Sequence, residues 1–581
     1  MAVLGIDVGG TFTDAVLLAD GRLVTAKVPT AARQEESVVA AARAVDSAAL
    51  ERFTHGTTVA TNALLEHKGA RTAFVATAGF EHLLHLRRQT RAHLYRVCTD
   101  HPEPLVPLER CYGVAERVGP GGVLEELDLE SLPEVDAEAV AVCLLFSFRD
   151  PTHERRVAEE LRRRLPDAHV VASHEVSPEF REYERASTTA VDAYLGPVVS
   201  RYLRALAEAC ADAGLPEPLV MRSSGGVATL DEAAAHPAWA LVSGPAAGAV
   251  GAALIAERAG LERSISFDMG GTSTDVSLVA GGAAERSGER EVAGLPLRLP
   301  TVDLHTVGAG GGSIVWRDAG GALRVGPESA GADPGPACYG WGGTRPTVTD
   351  ANLLLGRLPD RLAGGIELDR AAAEQALDGI DPAAVVEVVD AEMLRALRVI
   401  SVERGHDPRD FGLVAFGGAG PLHACALADE LGIETVLVPA AAGVLSALGL
   451  AASDERRDSV VSYVRPLVEV DAAAVAGDGE ADLRYRGQSF ELTVPLGGDL
   501  AESFHRAHEE RYGYADRSRE VELVAVRTAD VRPGPEVELP AAEPLDVTGP
   551  AVVELEGATC WLPPGWVGGR DGDSTLILTK A

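Results

Sequence analysis

The sequence is poor in lysine, in basic charge and in long apolar runs. Only three of its 581 residues are lysine, namely Lys27, Lys68 and Lys580, and the formal net charge is −35. A chain this acidic lacks the cationic face that nucleic acid or an anionic membrane requires, so neither is an expected partner. The G-x-x-x-x-G-K-[S/T] loop is also missing, which excludes the P-loop class of nucleotide-binding proteins.

Paired cysteines and a signal segment are missing as well. The seven cysteines have no C-x-x-C spacing, which favours a reducing compartment and argues against disulfides or a thiolate zinc site. Asp7 interrupts the first apolar run, and no basic residues precede that run, so it predicts a strand rather than a signal peptide. The apolar stretch 246–256 is too short for a transmembrane helix. We therefore expect a cytoplasmic protein.

What the sequence does contain is one short motif in two copies. Residues 7–14 read D-V-G-G-T-F-T-D, and residues 268–275 read D-M-G-G-T-S-T-D. Each copy lies between two short apolar runs, a pattern that predicts a β-hairpin with a glycine turn at its tip. Two unrelated glycine-rich hairpins are the alternative, which the repetition of the acidic and hydroxyl positions disfavours.

The residue types of this motif suit the phosphates of a nucleotide. Paired glycines leave backbone N–H groups free to surround an anion, threonines add hydroxyl donors, and the leading aspartate can hold hydrated Mg²⁺. Two facing tips would therefore bind one nucleotide between them. The candidate phosphate ligands are Gly9, Gly10, Thr11, Thr13, Gly270, Gly271, Thr272 and Thr274.

A third glycine loop contains Gly417, Gly418 and Gly420, after an apolar strand and before a helical segment. A strand, turn and helix in this order direct helix N-terminal amides at a ligand, here the adenosine side of the nucleotide. The three motifs occur along the chain in the order hairpin, hairpin, G-G-A-G-P. In this order the sequence resembles the actin, sugar kinase and Hsp70 superfamily. Residues 243–248 begin a predicted helix of small residues. This helix either packs tightly against another helix or contacts the ligand.

Two further groups of residues are candidates for ligand binding. His55 precedes a helix together with two threonines, so it is either a substrate or phosphate ligand or a core histidine. Asp303 and His305 are two residues apart on one strand face, where they either chelate a divalent metal or form a carboxylate–imidazole pair. The candidate substrate-binding residues are His55, Thr57, Thr58, Gly310 and Gly311, and the candidate ligands of a second metal are Asp303 and His305.

The pattern of apolar segments predicts an α/β protein in three parts. Residues 1–180 alternate strands with helices, and residues 181–455 contain the second hairpin and most glycine loops. Residues 456–581 are rich in proline, glycine and alternating strands, which predicts a small β-rich domain. The expected fold is a duplicated actin-like ATPase of the ribonuclease H-like class with that domain at its C-terminal end.

Several longer motifs resemble the A subunits of the hydantoinase/oxoprolinase family. The matching stretches are 5–14, 54–64, 267–276, 307–314, 325–340, 347–352, 416–424 and 485–489. They extend over nearly the whole chain, and the stretch V-G-P-E-S-A-G-A-D-P-G-P-A-C-Y-G is highly specific. Two departures from the family pattern are Trp341, at a position where a basic residue is usual, and residues 465–482, which are shorter than usual.

The resemblance implies an ATP-dependent activity on a small cyclic amide such as a hydantoin or 5-oxoproline, with ATP and Mg²⁺ as cofactors. It also implies a hetero-oligomer with a B-type subunit. The implied catalytic residues are aspartates: Asp7 and Asp268 position Mg²⁺, and either Asp14 or Asp275 orients the nucleophile. One alternative is the ATP-using subunit of an acetone or acetophenone carboxylase. Another is a nucleotide-gated activator or scaffold that phosphorylates no small molecule.

Overall fold

The computed structural model has a mixed α/β architecture with two large sheets and one smaller sheet of five strands. It describes residues 2–19, 21–46, 50–96, 98–362, 365–540, 544–570, 572 and 574–581. None of the helices in these ranges has both the length and the apolar character needed to cross a membrane.

The strands fall into three stretches of the chain. The first contains β1 Ala2–Val8, β2 Phe12–Ala19, β3 Arg22–Pro29, β4 Arg52–Gly56, β5 Thr72–Thr77, β6 Cys111–Gly119, β7 Gly122–Asp128, β8 Ala139–Cys143, β9 His169–Ala172, β10 Leu219–Met221 and β11 Val227–Ala228. The second contains β12 Arg263–Met269, β13 Thr274–Ala280, β14 Ala283–Ala284, β15 Arg286–Ser287, β16 Arg290–Val292, β17 Leu295–Leu297, β18 Thr301–Val302, β19 Leu304–Val307, β20 Ser313–Arg317, β21 Leu323–Ser329, β22 Gly412–Phe416 and β23 Thr435–Val438. The third contains β24 Glu455–Pro466, β25 Glu480–Tyr485, β26 Leu492–Pro495, β27 Val521–Arg532, β28 Asp546–Thr548, β29 Ala551–Leu555, β30 Ala558–Leu562, β31 Trp566–Arg570 and β32 Leu576–Lys580.

The helices connect these strands and cover the sheets. They are α1 Gln34–Ala44, α2 Val59–Leu65, α3 Leu83–Leu86, α4 Thr152–Arg164, α5 Ser173–Val176, α6 Glu182–Asp212, α7 Leu230–Ala235, α8 Ser243–Arg258, α9 Val348–Leu354, α10 Arg370–Ala376, α11 Pro382–Ile400, α12 Gly420–Leu431, α13 Leu445–Ala452 and α14 Leu500–Tyr512. The longest of them, α6, continues through Pro197.

The two large sheets repeat one strand pattern. In the first sheet the order β3-β2-β1-β4-β10 has two antiparallel pairs followed by two parallel pairs. In the second sheet the order β14-β13-β12-β22-β23 has the same senses in the same places. The predicted hairpins are β1–β2 and β12–β13, at equivalent positions in the two halves. The predicted duplicated, actin-like fold is therefore confirmed.

Helices of small residues join the two halves. Helix α13 packs on β1, β2 and β4, helix α8 packs on β12, β13 and β22, and the two helices contact each other. A Cβ atom on Gly449 would lie 2.0 Å from the carbonyl oxygen of Ala247, and one on Gly5 would lie 2.0 Å from that of Ala447. Glycine is needed at both positions because the backbones approach too closely for a side chain. Tight helix packing is thus one role of the segment that begins at residue 243.

The last part of the chain is rich in strands, as expected, but most of its strands join the two large sheets, and only β29 and β30 form a separate pair among the described residues. Strand β24 extends the first sheet beside β11, and β27, β25 and β26 continue it. Strand β32 extends the second sheet beside β23. Residues of β25, β27 and α14 form a small core of their own, which includes Leu483, Tyr485 and Phe504. The domain boundaries at 180 and 455 stay predictions.

Candidate nucleotide-binding site

The two hairpin tips have the same local geometry. The amide of Gly9 donates to the carbonyl of Phe12, and the amide of Gly270 donates to that of Ser273, each at 3.0 Å. Asp7 is the cross-strand partner of Asp14, and Asp268 is that of Asp275. Directly opposed side chains project from the same face of a sheet, so each hairpin presents two aspartates together.

The peptide groups of both tips turn their N–H groups towards open space. The carbonyl of Gly270 accepts from the amide of Gly311 at 3.0 Å, and that of Gly9 accepts from the hydroxyl of Thr30 at 3.0 Å. In a trans peptide the N–H group points away from the carbonyl of the same peptide group. The N–H groups of Gly10 and Gly271 therefore point away from the partners that these carbonyls bind. A Cβ atom on Gly10 or Gly271 would meet nothing within 4 Å. Free amides at an open tip suit an anion.

The aspartates of the two hairpins influence one another across a common cleft. Burial, followed by the charges of Asp275, Asp7 and Asp14, raises the pKa of Asp268 to about 8. Burial and the charge of Asp14 raise the pKa of Asp7 to about 7. Because Asp7 and Asp14 act on Asp268, the two hairpins lie close enough for their charges to interact. The cleft therefore concentrates negative charge that a cation would stabilise.

The first hairpin also meets the start of helix α8. A Cβ atom on Gly56 would lie 2.6 Å from Oδ1 of Asp7, and one on Gly244 would lie 3.3 Å from the same oxygen. This oxygen is buried and has no hydrogen-bond partner among the described residues. The carboxylate thus lies beside the first turn of a long helix, where the helix dipole favours negative charge.

These features fit a magnesium ion that is shared with phosphates. Asp7 and Asp268 offer carboxylate oxygens in a buried, acidic cleft, and one oxygen of Asp7 has no protein partner. Within the described part of the chain, no group of three or more His, Cys, Asp or Glu residues is arranged to hold a metal by itself. Mg²⁺ commonly keeps waters and phosphate oxygens as ligands and uses only one or two carboxylates. The donor set is consistent with that mode.

The second aspartate of each hairpin has a different partner, and neither partner was identified from the sequence. Nζ of Lys27 lies 2.5 Å from Oδ1 of Asp14, and the hydroxyl of Thr306 donates to Oδ1 of Asp275 at 2.6 Å. Lys27 and Thr306 are the cross-strand neighbours of these aspartates on β3 and β19. An Asp-Gly pair at residues 20–21 is a two-residue hairpin signal. Counting back from it would have paired Lys27 with Asp14.

The third glycine loop lies against the second hairpin. It connects β22 to α12, as the sequence predicted, and the amide of Ala419 donates to the carbonyl of Met269 at 2.9 Å. Gly417 has φ +77°, and a Cβ atom there would lie 2.4 Å from Oδ1 of Asp268. Gly418 is exposed, and its nearest neighbour would be 4.0 Å from an added Cβ. The loop and Asp268 therefore depend on each other's position.

Two predicted phosphate ligands have another role. The Thr13 hydroxyl is buried and 3.0 Å from that of Thr30, and the Thr274 hydroxyl is buried and donates to the carbonyl of Ala309 at 2.7 Å. Both hydroxyls hold neighbouring segments in place, so a phosphate-binding role for their side chains is not supported. Thr11 and Thr272 lie at the tips and stay candidates.

The two glycines predicted to bind substrate support the second hairpin. A Cβ atom on Gly310 would lie 2.7 Å from the carbonyl carbon of Gly271, so this glycine permits close backbone packing. The carbonyl of Gly311 accepts two hydrogen bonds from Thr349, through its amide and its hydroxyl, each at 2.8 Å. Both glycines are buried. Their geometry contradicts direct substrate contact and indicates a brace behind the tip.

The segment around His55 is largely structural. His55 is fully buried, Nε2 lies 2.8 Å from the hydroxyl of Tyr202, and Nδ1 lies 3.3 Å from the carbonyl of Ile6. Burial lowers the pKa of His55 to about 4, so the core-histidine alternative holds. The Thr57 carbonyl accepts from Ser243 at 2.9 Å, which ties this turn to α8. Thr58 differs, because its buried hydroxyl has no described partner.

The structure argues against a second metal at Asp303 and His305. The Asp303 carboxylate is bound by both terminal nitrogens of Arg404, one of them at 3.1 Å. The charges of Arg404 and Arg290 add to burial in lowering the pKa of His305. Two guanidinium groups beside the pair oppose a divalent cation. His305 also alternates with Thr306 along β19, so it points away from the face that carries Asp275.

The fold and the paired hairpin tips define an actin-like class of protein, and two family models identify the family within this class. The model of the hydantoinase/oxoprolinase N-terminal region matches residues 3–165, and the hydantoinase/oxoprolinase model matches residues 185–459. The chain is 33% identical to caprolactamase subunit alpha from Pseudomonas jessenii, over 99% of each chain. The chain belongs to the hydantoinase/oxoprolinase family.

Solved structures are similar over the full length. The crystal structure of ATP-dependent caprolactamase from Pseudomonas jessenii has a TM-score of 0.84 and 32% sequence identity, with 100% of both chains covered. The nucleotide-free structure of acetone carboxylase has a TM-score of 0.79 and 25% identity, again over 100% of both chains. The family therefore includes proteins named for lactam chemistry and for ketone carboxylation.

Proposed function

We propose that this chain is the ATP-using subunit of a cyclic-amide hydrolase. An unstrained cyclic amide resists hydrolysis, because resonance deactivates its carbonyl and the ring nitrogen is a poor leaving group. Transfer of a phosphoryl group to the amide oxygen removes this resonance. Water then attacks an activated carbon, and the ring C–N bond breaks. The proposed substrate class comprises hydantoins, 5-oxoproline and related lactams.

The bonds formed and broken balance with one ATP and two waters per ring. The amide oxygen attacks the γ-phosphorus while the bond to the β-phosphate oxygen breaks, and ADP leaves. A first water adds to the former carbonyl carbon, and the C–N bond breaks with protonation of nitrogen, which leaves an acyl phosphate. A second water adds to the same carbon, and the C–O bond to phosphate breaks. The products are a ring-opened amine or carbamoyl acid, ADP and inorganic phosphate.

The residues of the cleft have separate tasks in this proposal. The amides of Gly10, Gly271 and the following tip residues hold the phosphates, and the third glycine loop holds the adenosine side. Asp7 and Asp268 would hold Mg²⁺, which neutralises charge on the transferred group when it is bound. Asp14 or Asp275 orients the attacking oxygen. Holding both reactants in line supplies most of the catalysis in phosphoryl transfer.

One observation carries the proposal more than any other. Two hairpins of identical tip geometry present four aspartates to one cleft, and the aspartates of one hairpin raise the pKa of Asp268 on the other. A structural pair of hairpins has no need for this concentration of buried acid. The similarity to caprolactamase subunit alpha over 99% of both chains supports a lactam as the second substrate.

A carboxylase subunit is the second candidate function. The similarity to acetone carboxylase, with a TM-score of 0.79, supports it. In that case the same cleft would phosphorylate a ketone enolate or bicarbonate instead of an amide. The two candidates share the nucleotide site and differ in the acceptor, so they are separated by the substrates that trigger ADP release.

We also propose that ring opening needs a B-type partner subunit. The name of the Pseudomonas jessenii relative describes it as one subunit of an enzyme. All three glycine loops lie within the present chain, so nucleotide binding needs no second chain. The later steps, which deliver water to the activated carbon, are assigned to the complex.

The proposal predicts lactam-dependent ADP release. The purified chain is incubated with ATP and Mg²⁺, alone and after co-expression with a B-type subunit. The acceptors tested are hydantoin, 5-oxoproline, caprolactam, and acetone with bicarbonate. We expect at least one cyclic amide to raise ADP release by roughly tenfold or more. Ring-opened product should form only when the partner is present.

The other outcomes of this panel decide between the alternatives. ADP release that requires a ketone and bicarbonate would support the carboxylase candidate. A rate that no acceptor changes would favour the activator or scaffold function. Full ring opening by the isolated chain, at a rate that the partner does not raise, would contradict the division of labour between subunits.

A further inference from the structure

Lys27 forms an ion pair with an aspartate of the first hairpin. It is one of only three lysines in the sequence, and Nζ lies 2.5 Å from Oδ1 of Asp14. The ammonium group also lies over the ring of Phe12, 5.4 Å from its centroid. The side chain is 27% exposed, so part of it is accessible to solvent.

The charge of Lys27 reaches both hairpins. It lowers the pKa of Asp14 and of Asp7 on the first hairpin, and of Asp268 on the second, against the larger effect of burial. Lys27 is thus close enough to both hairpins for its charge to act on carboxylates of each. The terminal phosphate of a bound triphosphate would bring more negative charge than the present partner of Lys27, the carboxylate of Asp14.

The equivalent position in the second half carries no cation. There the cross-strand neighbour of Asp275 is Thr306, which donates a neutral hydroxyl. The two halves are symmetric in backbone pairing and differ in this residue, and the cation near Asp275 is Arg290, which donates to the Thr306 hydroxyl at 3.3 Å. Lys27 therefore contacts a hairpin aspartate directly, whereas Arg290 reaches Asp275 through the hydroxyl of Thr306.

We propose that Lys27 is a phosphate-contacting residue that exchanges its ion pair with Asp14 for the terminal phosphate of ATP. This inference rests on the proposed nucleotide site. The flexible four-carbon stem of lysine allows the ammonium to move between two neighbouring anions. The exchange leaves the Asp14 carboxylate without its cation, and therefore free to orient the acceptor or its proton. Lys27 thus links the arrival of the third phosphate to the readiness of Asp14.

The other two lysines are internal controls. Lys68 is paired with Glu66 at 2.5 Å and is 73% exposed, and Lys580 is paired with Asp429 at 2.7 Å and is 55% exposed. Each has an ion pair of the same kind, outside the aspartates of the cleft. Any change in amine reactivity that is confined to Lys27 is therefore specific to the cleft.

Amine labelling tests the proposal on the full chain. The protein is treated briefly with an acetylating reagent, with Mg²⁺ and either no nucleotide, ADP or a non-hydrolysable ATP analogue, and each lysine is quantified by mass spectrometry. We expect the ATP analogue to lower labelling of Lys27 at least tenfold, ADP to lower it much less, and Lys68 and Lys580 to stay unchanged. Equal protection by ADP and by the ATP analogue would overturn a terminal-phosphate contact.

Calorimetry on the same samples separates this inference from the proposed function. If neither nucleotide binds, the nucleotide site itself is refuted. If both bind and Lys27 is labelled at its nucleotide-free rate, only the role of Lys27 is refuted. This readout does not depend on turnover or on a partner subunit.

Variants give a second, independent measurement. Lys27→Met should weaken binding of the ATP analogue about tenfold relative to ADP, and Lys27→Arg should restore part of the difference, because it keeps the charge. Lys68→Met is the matched control and should change neither affinity. Equal weakening of both nucleotides by Lys27→Met would indicate a general effect on the cleft and would contradict the proposal. Circular dichroism checks that each variant is folded.

Discussion

Replacement of Asp268 by asparagine is expected to lower ATP turnover by roughly 100-fold or more, while the protein stays folded. The carboxylate lies on the second hairpin at the cleft, and asparagine keeps its shape but removes the charge that would hold Mg²⁺ and orient phosphate. Asp7→Asn should have a comparable effect, because Asp7 occupies the equivalent position of the duplicated motif. Turnover is measured as ADP release by the chain together with the proposed B-type subunit.

The same substitution is expected to stabilise the nucleotide-free protein. The pKa of Asp268 is raised from 3.8 to about 8 in the folded state, so between these values the folded state binds more protons than the unfolded state. Stability therefore falls as pH rises from about 4 to about 8, and asparagine removes this loss. A pKa difference of one unit corresponds to about 1.4 kcal/mol, so we expect a gain on the order of a few kcal/mol at pH 8.

Thermal unfolding at pH 5, 6.5 and 8 without Mg²⁺ measures this gain. Asp407→Asn is the matched control, since this half-buried residue caps a short helix outside the two hairpins and Arg409 lowers its pKa to about 2. It should leave turnover unchanged. Near wild-type turnover in folded Asp7→Asn or Asp268→Asn would refute the two-hairpin site.

The second large effect is expected at Gly417. Alanine there should abolish nucleotide binding or weaken it by roughly 100-fold, because its Cβ atom would lie 2.4 Å from Oδ1 of Asp268 and 2.5 Å from the carbonyl of Met269. The residue also has φ +77°, a conformation that alanine adopts at a cost of about 1 kcal/mol or more. Either the loop or the aspartate has to move.

Gly418→Ala is a closely matched control for this prediction. The two glycines are adjacent in one loop, yet Gly418 is exposed and the nearest atom to an added Cβ is 4.0 Å away. We expect its nucleotide affinity to change less than about threefold. Affinity is measured by calorimetry, and circular dichroism verifies folding. Equal affinities for Gly417→Ala and wild type would show that the loop and Asp268 are not coupled.

The parts of the fold that the sequence predicted are those controlled by local chemistry. The repeated D-x-G-G-T-x-T-D motif predicts a hairpin, because the glycines that form the turn and the apolar runs that form the strands lie within about fifteen residues of each other. The strand, loop and helix around Gly417 were predicted for the same reason. The two sheets could be anticipated as a duplication from the motif, but not the route by which residues 456–581 enter both of them. That route depends on long-range strand pairing.

The site shows the same division between local and long-range information. Thr13 and Thr274 belong to the motif, yet their hydroxyls face Thr30 and Ala309, which are 17 and 35 residues away. Motif membership alone does not say which side of a strand a hydroxyl faces relative to a distant loop. The ion pair of Lys27 with Asp14 was missed for a different reason. It follows from the register of the β2–β3 hairpin, and the Asp-Gly pair at residues 20–21 predicts that register.

Oxygen-18 in the carbonyl of the substrate provides the most direct test of amide-oxygen phosphorylation. The complex is given ATP, Mg²⁺ and the cyclic amide that gives the highest ADP release, labelled at its carbonyl oxygen, and the inorganic phosphate is analysed by mass spectrometry. Attack of the amide oxygen on the γ-phosphorus, followed by water attack on carbon, predicts one label per phosphate released with ring opening. Unlabelled phosphate, with all of the label retained in the carboxylate of the ring-opened product, would contradict the account.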